Sequence, residues 1–542
     1  MERSIEGHGG TLALAALAEF GVGELYTLSG GHIFPFYDAA VKQLEPSIRI
    51  VDVRHEQTAT FAAEATAKLT RRVGVAALTA GPGVTNGISA VTSAWFNGSP
   101  LVVLGGRAPQ ARWGAGSLQE FDHVPVLAPI TKRAETVTTV PDCAAVVHEL
   151  ATMALTPHRG PVFADFPLDV VFAQGSAEIL EAVTPVGSEP DPDDVARAIA
   201  LLAAAERPAV IAGSDVWWDG AAEALRAAVE ALRIPTFVNG LGRGCLPADH
   251  ELAFSRTRGL LKGEADVVCV VGTPLDFRLS FGSFGAAQVV HVVDHPGRRA
   301  AHTTPAVSPA GDLTAILGAF AAQTPTVDHE PWITRLREAE SAAVASDAPL
   351  LAADTDPIKP TRVYGELRRR LDRDAVVVCD GGDFVSYAGK YVESFEPGCW
   401  LDPGPYGCLG TGLGGAIAAR ITHPDRQVVA LLGDGAAGFS LFDVDTLVRH
   451  DLPVVLVVGN NGIWGLEKHP MQMLYGYDVA ADLQRECRYD EVVKALGGAG
   501  ETVTEASEVG PALDRALASG VPYLVNVITD PGDAYPRSSN LA

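Results

Sequence analysis

The chain has 542 residues, of which 47% are hydrophobic, and a formal net charge of −25 at pH 7. This length exceeds what one hydrophobic core supports, so we expect several domains of about 150 residues, and the negative charge argues against nucleic-acid partners, which require a basic surface. The apolar runs fall short of the ~18 residues of a membrane span, and the seven scattered cysteines lack CxxC spacing, so we predict a cytoplasmic protein with reduced thiols and no membrane partner.

Strand-like apolar runs open the first unit of the chain. They cover residues 25–28, 75–78 and 101–104, and each is followed by a glycine-rich stretch that predicts a loop. Helix-like stretches separate the runs, which is typical of α/β layers around a parallel sheet. We predict a first domain over residues 1–183, followed by a linker rich in Pro and Asp.

Two further units continue this pattern. A central domain over residues 190–325 is predicted from three strand-like runs at residues 209–212, 267–271 and 289–293. A polar, helix-prone linker leads to a third domain over residues 355–530, and residues 531–542 form a C-terminal segment. The predicted fold class is therefore α/β, with three doubly wound parallel-sheet domains.

Asp434 and Asn461 stand 27 positions apart, and each follows a strand-like apolar run, at residues 427–432 and 453–458. Ligands of open α/β sheets lie at the carboxyl ends of parallel strands, so we expect both side chains at one edge of a sheet. Mg²⁺ bound to phosphates usually takes only one or two oxygen ligands from side chains. Small residues after Asp434 would let the N-terminus of a helix predicted at residues 442–450 approach a pyrophosphate. The pair therefore predicts a diphosphate site with a metal ion.

These two motifs, Gly433-Asp434-Gly435 and Asn460-Asn461-Gly462, are preceded by Arg54-His55-Glu56-Gln57 and by a glycine-rich stretch at residues 79–87. Together the motifs resemble the thiamine-diphosphate (ThDP) enzymes of the acetolactate synthase and oxalyl-CoA decarboxylase group, over essentially the whole chain. The resemblance implies a pyrimidine-binding first domain, a diphosphate-binding third domain, and bound ThDP and Mg²⁺. It also implies a homo-oligomer, a dimer of dimers, with active sites at subunit interfaces, because Glu56 and Asp434 belong to different domains.

The resemblance assigns a role to each motif residue. Glu56, expected on a short loop, would bind N1′ of the cofactor pyrimidine and drive the activating tautomer; taken alone, it would be a glutamate stabilised by a helix dipole. Asp434, Asn461 and the backbone carbonyl of Ile463 would bind the metal. Leu409 would be the apolar wedge beneath the cofactor, with a core plug as the alternative. The implied cofactor-binding residues are Gly81, Gly407, Leu409, Gly433, Asp434, Gly435, Asn461 and Ile463.

Three further residues are implied on the substrate side of the catalytic site. Gln119 matches a Phe-Gln-Glu stretch whose amide faces the reacting end of the cofactor, and His32 stands on a glycine-rich loop expected to face the same centre. Glu491 is a candidate acid or base at the start of a predicted helix. The alternatives are a solvated glutamine, a loop histidine with satisfied hydrogen bonds and a helix-start carboxylate.

The cofactor motifs leave three reactions open. Acetolactate synthases carry a Gln-x-Met-Trp stretch that is absent at residues 390–394, whereas Gly438-Phe439-Ser440 and residues 489–498 look closer to 2-hydroxyacyl-CoA lyases and oxalyl-CoA decarboxylases. The decarboxylase pattern has Tyr-Glu where this chain has Leu118-Gln119. We therefore predict a lyase that reversibly cleaves a 2-hydroxyacyl-CoA to formyl-CoA and an aldehyde or ketone. Acetolactate synthesis from two pyruvates and oxalyl-CoA decarboxylation stay as alternatives.

The same resemblance implies an acyl-CoA substrate and an adenine nucleotide as ligands. The residues implied for the substrate are Arg256, Arg258, Trp464, Arg537 and Asn540. The last two belong to the C-terminal segment, which is expected to cover the active site. Asp294 and Asp312 fall where relatives hold an adenosine ribose, from FAD in the synthases or ADP in the decarboxylases, although the sequence shows no glycine-rich flavin fingerprint.

Overall fold

The computed structural model describes residues 3–44 and 47–535, which form three parallel β-sheets flanked by helices. The predicted α/β class with three doubly wound domains is confirmed. The strands are rich in Val, Ala and Leu and are largely buried, as expected for sheets covered by helices on both faces. In the described part of the chain, no helix combines the length and hydrophobicity that crossing a membrane requires.

The first sheet has six parallel strands. In spatial order they are Arg49–Asp52, Glu24–Thr27, Gly74–Leu78, Leu101–Arg107, Val162–Pro167 and Ala134–Thr136. The helices of this unit are Gly9–Glu19, Phe34–Asp38, Glu56–Thr70, Pro82–Asn86, Ile88–Asn97, Val124–Leu127, Asp142–Leu155 and Leu168–Val171, with a π-helical turn at Ala39–Gln43. A separate antiparallel pair joins Arg3–His8 to Gln174–Ile179.

The loop predicted at Gly105 and Gly106 is instead part of the strand Leu101–Arg107. These glycines let the strand pass close to its neighbours. An added Cβ at Gly105 would lie 2.8 Å from the Phe163 ring, and one at Gly106 would lie 2.5 Å from the Cβ of His32. The glycines therefore serve close packing within the sheet, which the sequence pattern alone did not distinguish from a turn.

The central sheet has four parallel strands, in the order Thr236–Val238, Pro208–Ala212, Val267–Val271 and Gln288–Val292. The helices of the central unit are Pro192–Ala204, Ser214–Trp218, Ala222–Leu232, Leu261–Glu264 and Leu313–Ala321. The helix-prone linker is the long helix Glu330–Leu351, with Pro331 in its first turn and Pro349 near its end.

The third sheet has six parallel strands, in the order Trp400–Leu401, Val376–Cys379, Val428–Gly433, Val455–Asn460, Tyr523–Ile528 and Ala499–Val503. Its helices are Pro360–Leu367, Asp383–Ser386, Ala388–Tyr391, Thr411–Thr422, Asp434–Ser440, Val444–Arg449, Gly465–Tyr475, Tyr489–Ala495 and Val509–Ala518. The stretch of small residues after Asp434 is thus itself a helix, whereas the sequence predicted a helix only at residues 442–450. Ala436 and Ala437 favour this helix and are buried.

Helix Glu56–Thr70 of the first unit packs against helix Thr411–Thr422 of the third, and this contact joins the two units in one hydrophobic core. Gly414 makes the close approach possible, because an added Cβ there would lie 2.9 Å from the Cβ of Phe61. The contact fixes the position of Glu56 relative to the loop at residues 404–410.

Candidate active site

A cavity of about 620 Å³ opens at the carboxyl edge of the third sheet. Its walls include the loops that follow the strands Val376–Cys379, Val428–Gly433 and Val455–Asn460. The structure brings eight of the residues predicted from the sequence together around this cavity. They are Gly407, Leu409, Gly433, Asp434, Gly435, Asn461, Ile463 and Trp464.

Asp434 lies directly after its strand and is only 4% exposed. Its carboxylate accepts hydrogen bonds from the backbone N–H of Gly462 at 2.7 Å and of Gly435 at 3.0 Å. Burial raises the pKa of this carboxyl to about 6, against the opposing effect of the N–H donors. A cation beside the carboxylate would offset the cost of burying its charge, so the position is suited to a metal ion.

Asn461 and Ile463 are held on the turn after the next strand. The side-chain oxygen of Asn461 accepts a hydrogen bond from the backbone N–H of Ile463 at 3.1 Å. Between them, Gly462 has a φ of 68° and donates to Asp434. One tight turn therefore gathers the three predicted metal ligands, and their carboxylate, amide and carbonyl oxygens are ligands that Mg²⁺ accepts.

Glycine backbone forms part of the cavity wall. Gly382 and Gly407 have φ values of 114° and 71°, a region that glycine adopts at little cost. No atom of the described residues lies within 4 Å of a Cβ added at either position. A ligand could therefore approach both backbones closely, and this cradle fits a diphosphate group.

Gly435 and Gly438 offer a matched pair of substitutions in helix Asp434–Ser440. A Cβ at Gly435 would lie 2.4 Å from the Trp464 ring, whereas no described atom lies within 4 Å of a Cβ at Gly438. We expect Gly435→Ala to displace Trp464 from the cavity wall and to weaken ThDP binding about tenfold, since overpacking costs ~1–3 kcal/mol. Titration calorimetry measures this, and Gly438→Ala should bind like the unchanged protein. Equal losses in both variants would contradict a specific role for the Gly435 position.

Asp380 is a residue of the site that the sequence reasoning missed. It follows the strand Val376–Cys379, is 1% exposed and lines the cavity. Its carboxylate accepts hydrogen bonds from the backbone N–H of Gly410 at 3.0 Å and of Gly412 at 2.9 Å. Burial raises its pKa to about 6. Asp380 thus anchors the end of the glycine-rich loop that carries Gly407 and Leu409.

Glu56 is the first residue of helix Glu56–Thr70 and does not lie on the expected loop. The helix begins there because His55 caps it, with its ring nitrogen accepting a hydrogen bond from the backbone N–H of Gln57 at 3.1 Å. Glu56 is 7% exposed, and its place in the first helical turn lets the helix dipole stabilise its carboxylate.

The Glu56 carboxylate is directed toward the glycine-rich stretch of its own unit. One oxygen accepts a hydrogen bond from the side-chain amide of Asn86 at 3.0 Å, and the other lies 3.7 Å from the position of a Cβ added at Gly83. Among the described residues that line the 620 Å³ cavity, none comes from the first unit. Within one chain, Glu56 and Asp434 therefore do not share that cavity.

A buried histidine, also missed in the sequence, holds the glycine-rich stretch. Nε2 of His123 accepts a hydrogen bond from the backbone N–H of Gly81 at 2.9 Å, so its proton lies on Nδ1 and is donated to Asp165 at 3.0 Å. Arg107 donates to the same carboxylate at 2.7 Å. His123 is 42 positions from Gly81 and 42 positions from Asp165. These contacts form only in the folded chain, so the sequence gives no local signal for them.

Gln119 and His32 both lie in the neighbourhood of the glycine-rich stretch. Gln119 has a φ of 59°, uncommon for a residue with a side chain, and its Cβ lies 3.1 Å from the position of a Cβ added at Gly81. His32 is 7% exposed, and its Nδ1 lies 3.4 Å from the hydroxyl of Thr79. Burial lowers the pKa of His32 and favours a neutral imidazole.

The residues predicted for an acyl-CoA substrate are not gathered at one place. Arg256 donates to Asp347 at 3.0 Å in a buried ion pair, whereas Arg258 is exposed. Glu491 is exposed and pairs with Lys494 at 2.8 Å, and it does not line the 620 Å³ cavity among the described residues. Of this set, Trp464 alone lies at the cavity, while Arg537 and Asn540 fall outside the described residues.

The two aspartates predicted to contact a nucleotide ribose each have a partner within the chain. Asp294 accepts a hydrogen bond from the His158 ring at 2.9 Å. Asp312 caps helix Leu313–Ala321 by accepting hydrogen bonds from the backbone N–H of Thr314 and Ala315. An adenine nucleotide bound at either aspartate would have to compete with these contacts.

Family models match three successive parts of the chain. They describe thiamine pyrophosphate (thiamine diphosphate) enzymes: the N-terminal TPP binding domain at residues 7–126, the central domain at residues 195–320 and the C-terminal TPP binding domain at residues 380–527. The first and last matches contain the two halves of the candidate site, around Glu56 and around Asp434.

The chain is similar over nearly its whole length to curated proteins, among them acetolactate synthases and 2-hydroxyacyl-CoA lyases. A probable acetolactate synthase of Mycobacterium bovis and the acetolactate synthase large subunit IlvG of Mycobacterium tuberculosis are each 52% identical over 540 residues, covering 99% of this chain and 98% of theirs. A 2-hydroxyacyl-CoA lyase 2 of Caenorhabditis elegans is 34% identical over 565 residues, covering 94% of this chain and 87% of that protein.

Proposed function

The chain belongs to the thiamine pyrophosphate enzymes, and we propose that within this family it is an acetolactate synthase, which joins two pyruvates with loss of one CO₂. The observation that carries the proposal is the 52% identity, over 99% of the chain, to two mycobacterial proteins of that name. The sequence motifs favoured a 2-hydroxyacyl-CoA lyase, but proteins of that name are only 30–34% identical to this chain. Overall similarity therefore favours the acetolactate synthase.

We propose that the diphosphate of ThDP and a Mg²⁺ ion occupy the cavity of about 620 Å³, a volume within the ~300–1,000 Å³ typical of cofactor pockets. Asp434, Asn461 and the carbonyl of Ile463 would hold the metal, and the backbones of Gly382 and Gly407 would allow the cofactor to approach closely. When bound, ThDP supplies a nucleophilic carbon and an electron sink for the carbanion that forms on bond cleavage.

We propose that the complete site forms between two copies of the chain, with Glu56 from one and Asp434 from the other. Within one chain the two residues do not share the cavity, which supports this arrangement. Large apolar side chains are exposed on both units, as expected for surfaces that are covered in an oligomer. They include Phe34, Leu118 and Phe121 in the first unit and Phe439, Phe442, Met473 and Tyr475 in the third.

In this arrangement the first unit of the partner subunit supplies the proton-transfer groups. Glu56 of the partner subunit would hold the proton at N1′ of the pyrimidine. Gln119 and His32, which lie near Gly81, would face the reacting end of the cofactor. The neutral imidazole of His32 could accept a proton from a substrate hydroxyl group and return it later in the cycle.

The lyase is the second candidate, because Gly438-Phe439-Ser440 and residues 489–498 resemble that branch and relatives of that name align over 94% of the chain. This reaction would break the bond between C1 and C2 of a 2-hydroxyacyl-CoA and release an aldehyde or ketone and formyl-CoA. It requires a binding surface for CoA, for which Arg258 is an exposed candidate.

A substrate panel decides between these reactions. Purified protein with ThDP and Mg²⁺ is incubated separately with pyruvate, oxalyl-CoA and a short 2-hydroxyacyl-CoA. We expect one acetolactate and one CO₂ for every two pyruvates consumed. If the 2-hydroxyacyl-CoA yields formyl-CoA and pyruvate yields no acetolactate, the protein is a lyase and not a synthase. If only oxalyl-CoA reacts, giving formyl-CoA and CO₂, the protein is a decarboxylase. A Glu56→Gln preparation serves as the control for spontaneous decarboxylation.

A further inference from the structure

Three side chains of the types that bind metal ions meet where the first unit contacts the central unit. His158 lies between helix Asp142–Leu155 and strand Val162–Pro167 of the first unit. Asp215 follows the strand Pro208–Ala212 of the central sheet, and Asp294 follows the strand Gln288–Val292, with the strand Val267–Val271 between them. Nδ1 of His158 lies 2.9 Å from a carboxylate oxygen of Asp294 and 3.8 Å from one of Asp215, and one ligand atom from each residue lies within 4.8 Å of the other two.

The two carboxylates are buried, and that of Asp294 is incompletely satisfied. Asp294 is 1% exposed, and its second oxygen has no hydrogen-bond partner among the described residues. Asp215 is 7% exposed, and one of its carboxylate oxygens lies 3.8 Å from Nδ1 of His158. Burial and the charge of Asp294 raise the pKa of Asp215. Buried carboxylates with free lone pairs are costly unless they coordinate a cation or share a proton.

Among the described residues, cationic side chains surround this cluster without pairing directly with it. Arg159 and Arg298 act on both Asp215 and Asp294, and Lys132 acts on Asp294. Arg159 is itself paired with Asp219 at 2.6 Å. A metal ion at this cluster is therefore inferred from the geometry of the three ligand atoms.

The spacing of the three ligand atoms suits a transition metal. Ligands at ~2.0–2.2 Å around a tetrahedral Zn²⁺ ion lie about 3.4 Å from one another, which falls between the 2.9 Å and 3.8 Å separations of this cluster. A cleft of about 900 Å³, lined by His158 and Arg298, opens beside the cluster and gives an ion access from solvent. One imidazole and two carboxylates are a ligand set that Zn²⁺ accepts, with water in the fourth position.

We propose that His158, Asp215 and Asp294 bind a divalent transition-metal ion, with Zn²⁺ as the best match, and that this ion clamps the first unit to the central unit. The site shares no residue with the Asp434 site, so it is independent of the cofactor and of the reaction proposed above.

The test is a Zn²⁺ titration of the full chain by calorimetry, with saturating Mg²⁺ and ThDP so that the Asp434 site is filled. We expect one Zn²⁺ per chain and a rise in melting temperature on binding. His158→Ala and Asp294→Asn should each weaken binding by at least about tenfold, as loss of metal-site groups commonly does. Co²⁺ in place of Zn²⁺ should give the visible absorption bands of a tetrahedral site in the unchanged protein.

His250 provides the matched control, because its ring lies 3.0 Å from Glu230 in a His–carboxylate pair that belongs to no group of three possible metal ligands among the described residues. His250→Ala should bind Zn²⁺ like the unchanged protein. Absence of stoichiometric Zn²⁺ binding by the unchanged protein would overturn the proposal, and this measurement does not depend on any variant folding. Binding that survives both His158→Ala and Asp294→Asn would overturn it as well.

Discussion

Replacing Glu56 with glutamine should lower turnover by about a hundredfold to ten-thousandfold, the range that a positioned acid or base contributes. Glutamine has nearly the same shape and can still accept a hydrogen bond from Asn86, which lies 3.0 Å from the carboxylate. It cannot exchange a proton with the pyrimidine, so the chemical step should be lost while ThDP still binds. Steady-state turnover on the active substrate, together with calorimetric titration of ThDP, separates the two effects.

Glu64→Gln is the matched control for this experiment. Glu64 lies two turns further along the same helix, is 2% exposed and pairs with Lys68 at 2.8 Å. Its replacement removes one partner of a buried ion pair, so we expect a lower melting temperature with turnover retained by the folded enzyme. Full turnover in Glu56→Gln would show that Glu56 is only a helix-start carboxylate, and equal losses in both variants would point to a general folding defect.

The grouping of Asp434 with Asn461 at one cavity could be predicted from the sequence because its signals are local. Asp434 and Asn461 each follow an apolar run, and the rule that parallel strands end at one edge of a sheet brings them together. The same rule applies to Asp380, which follows its own strand. Asp380 was missed because no second motif at a characteristic distance along the chain accompanies it. Its role becomes visible only when the loop at residues 404–410 folds back onto it.

The contacts that sequence reasoning missed join residues far apart in the chain. His123 meets Asp165 across 42 positions, and His158 meets Asp294 across 136 positions. Such pairs depend on tertiary packing within a unit or between units, and no periodicity or turn signal encodes them. Asp294 is an example: the resemblance implied a ribose contact for it, whereas its hydrogen bond to a histidine of another unit has no signal in the sequence.

Asp434→Asn should weaken Mg²⁺-dependent binding of ThDP by at least about a hundredfold, because it removes the single charged ligand from the proposed metal site. The new amide would also direct an N–H group toward the backbone N–H of either Gly462 or Gly435, both of which now donate to the carboxylate. Calorimetric titration of ThDP with and without Mg²⁺ measures the loss. Asp445→Asn, at a half-buried carboxylate that pairs with Arg449, should leave binding unchanged.

Co-expression of Asp434→Asn with Glu56→Gln tests whether the site is shared between subunits. In a mixed dimer with shared sites, one site receives both substitutions and the other receives neither. Half of the dimers are mixed when the chains pair at random, so about a quarter of the normal activity should return, although each variant alone is inactive. If each chain instead built its own site from its own Glu56 and Asp434, every site would carry one defect and no activity would return. Recovery therefore requires the arrangement in which Glu56 of the partner subunit completes the cavity at Asp434.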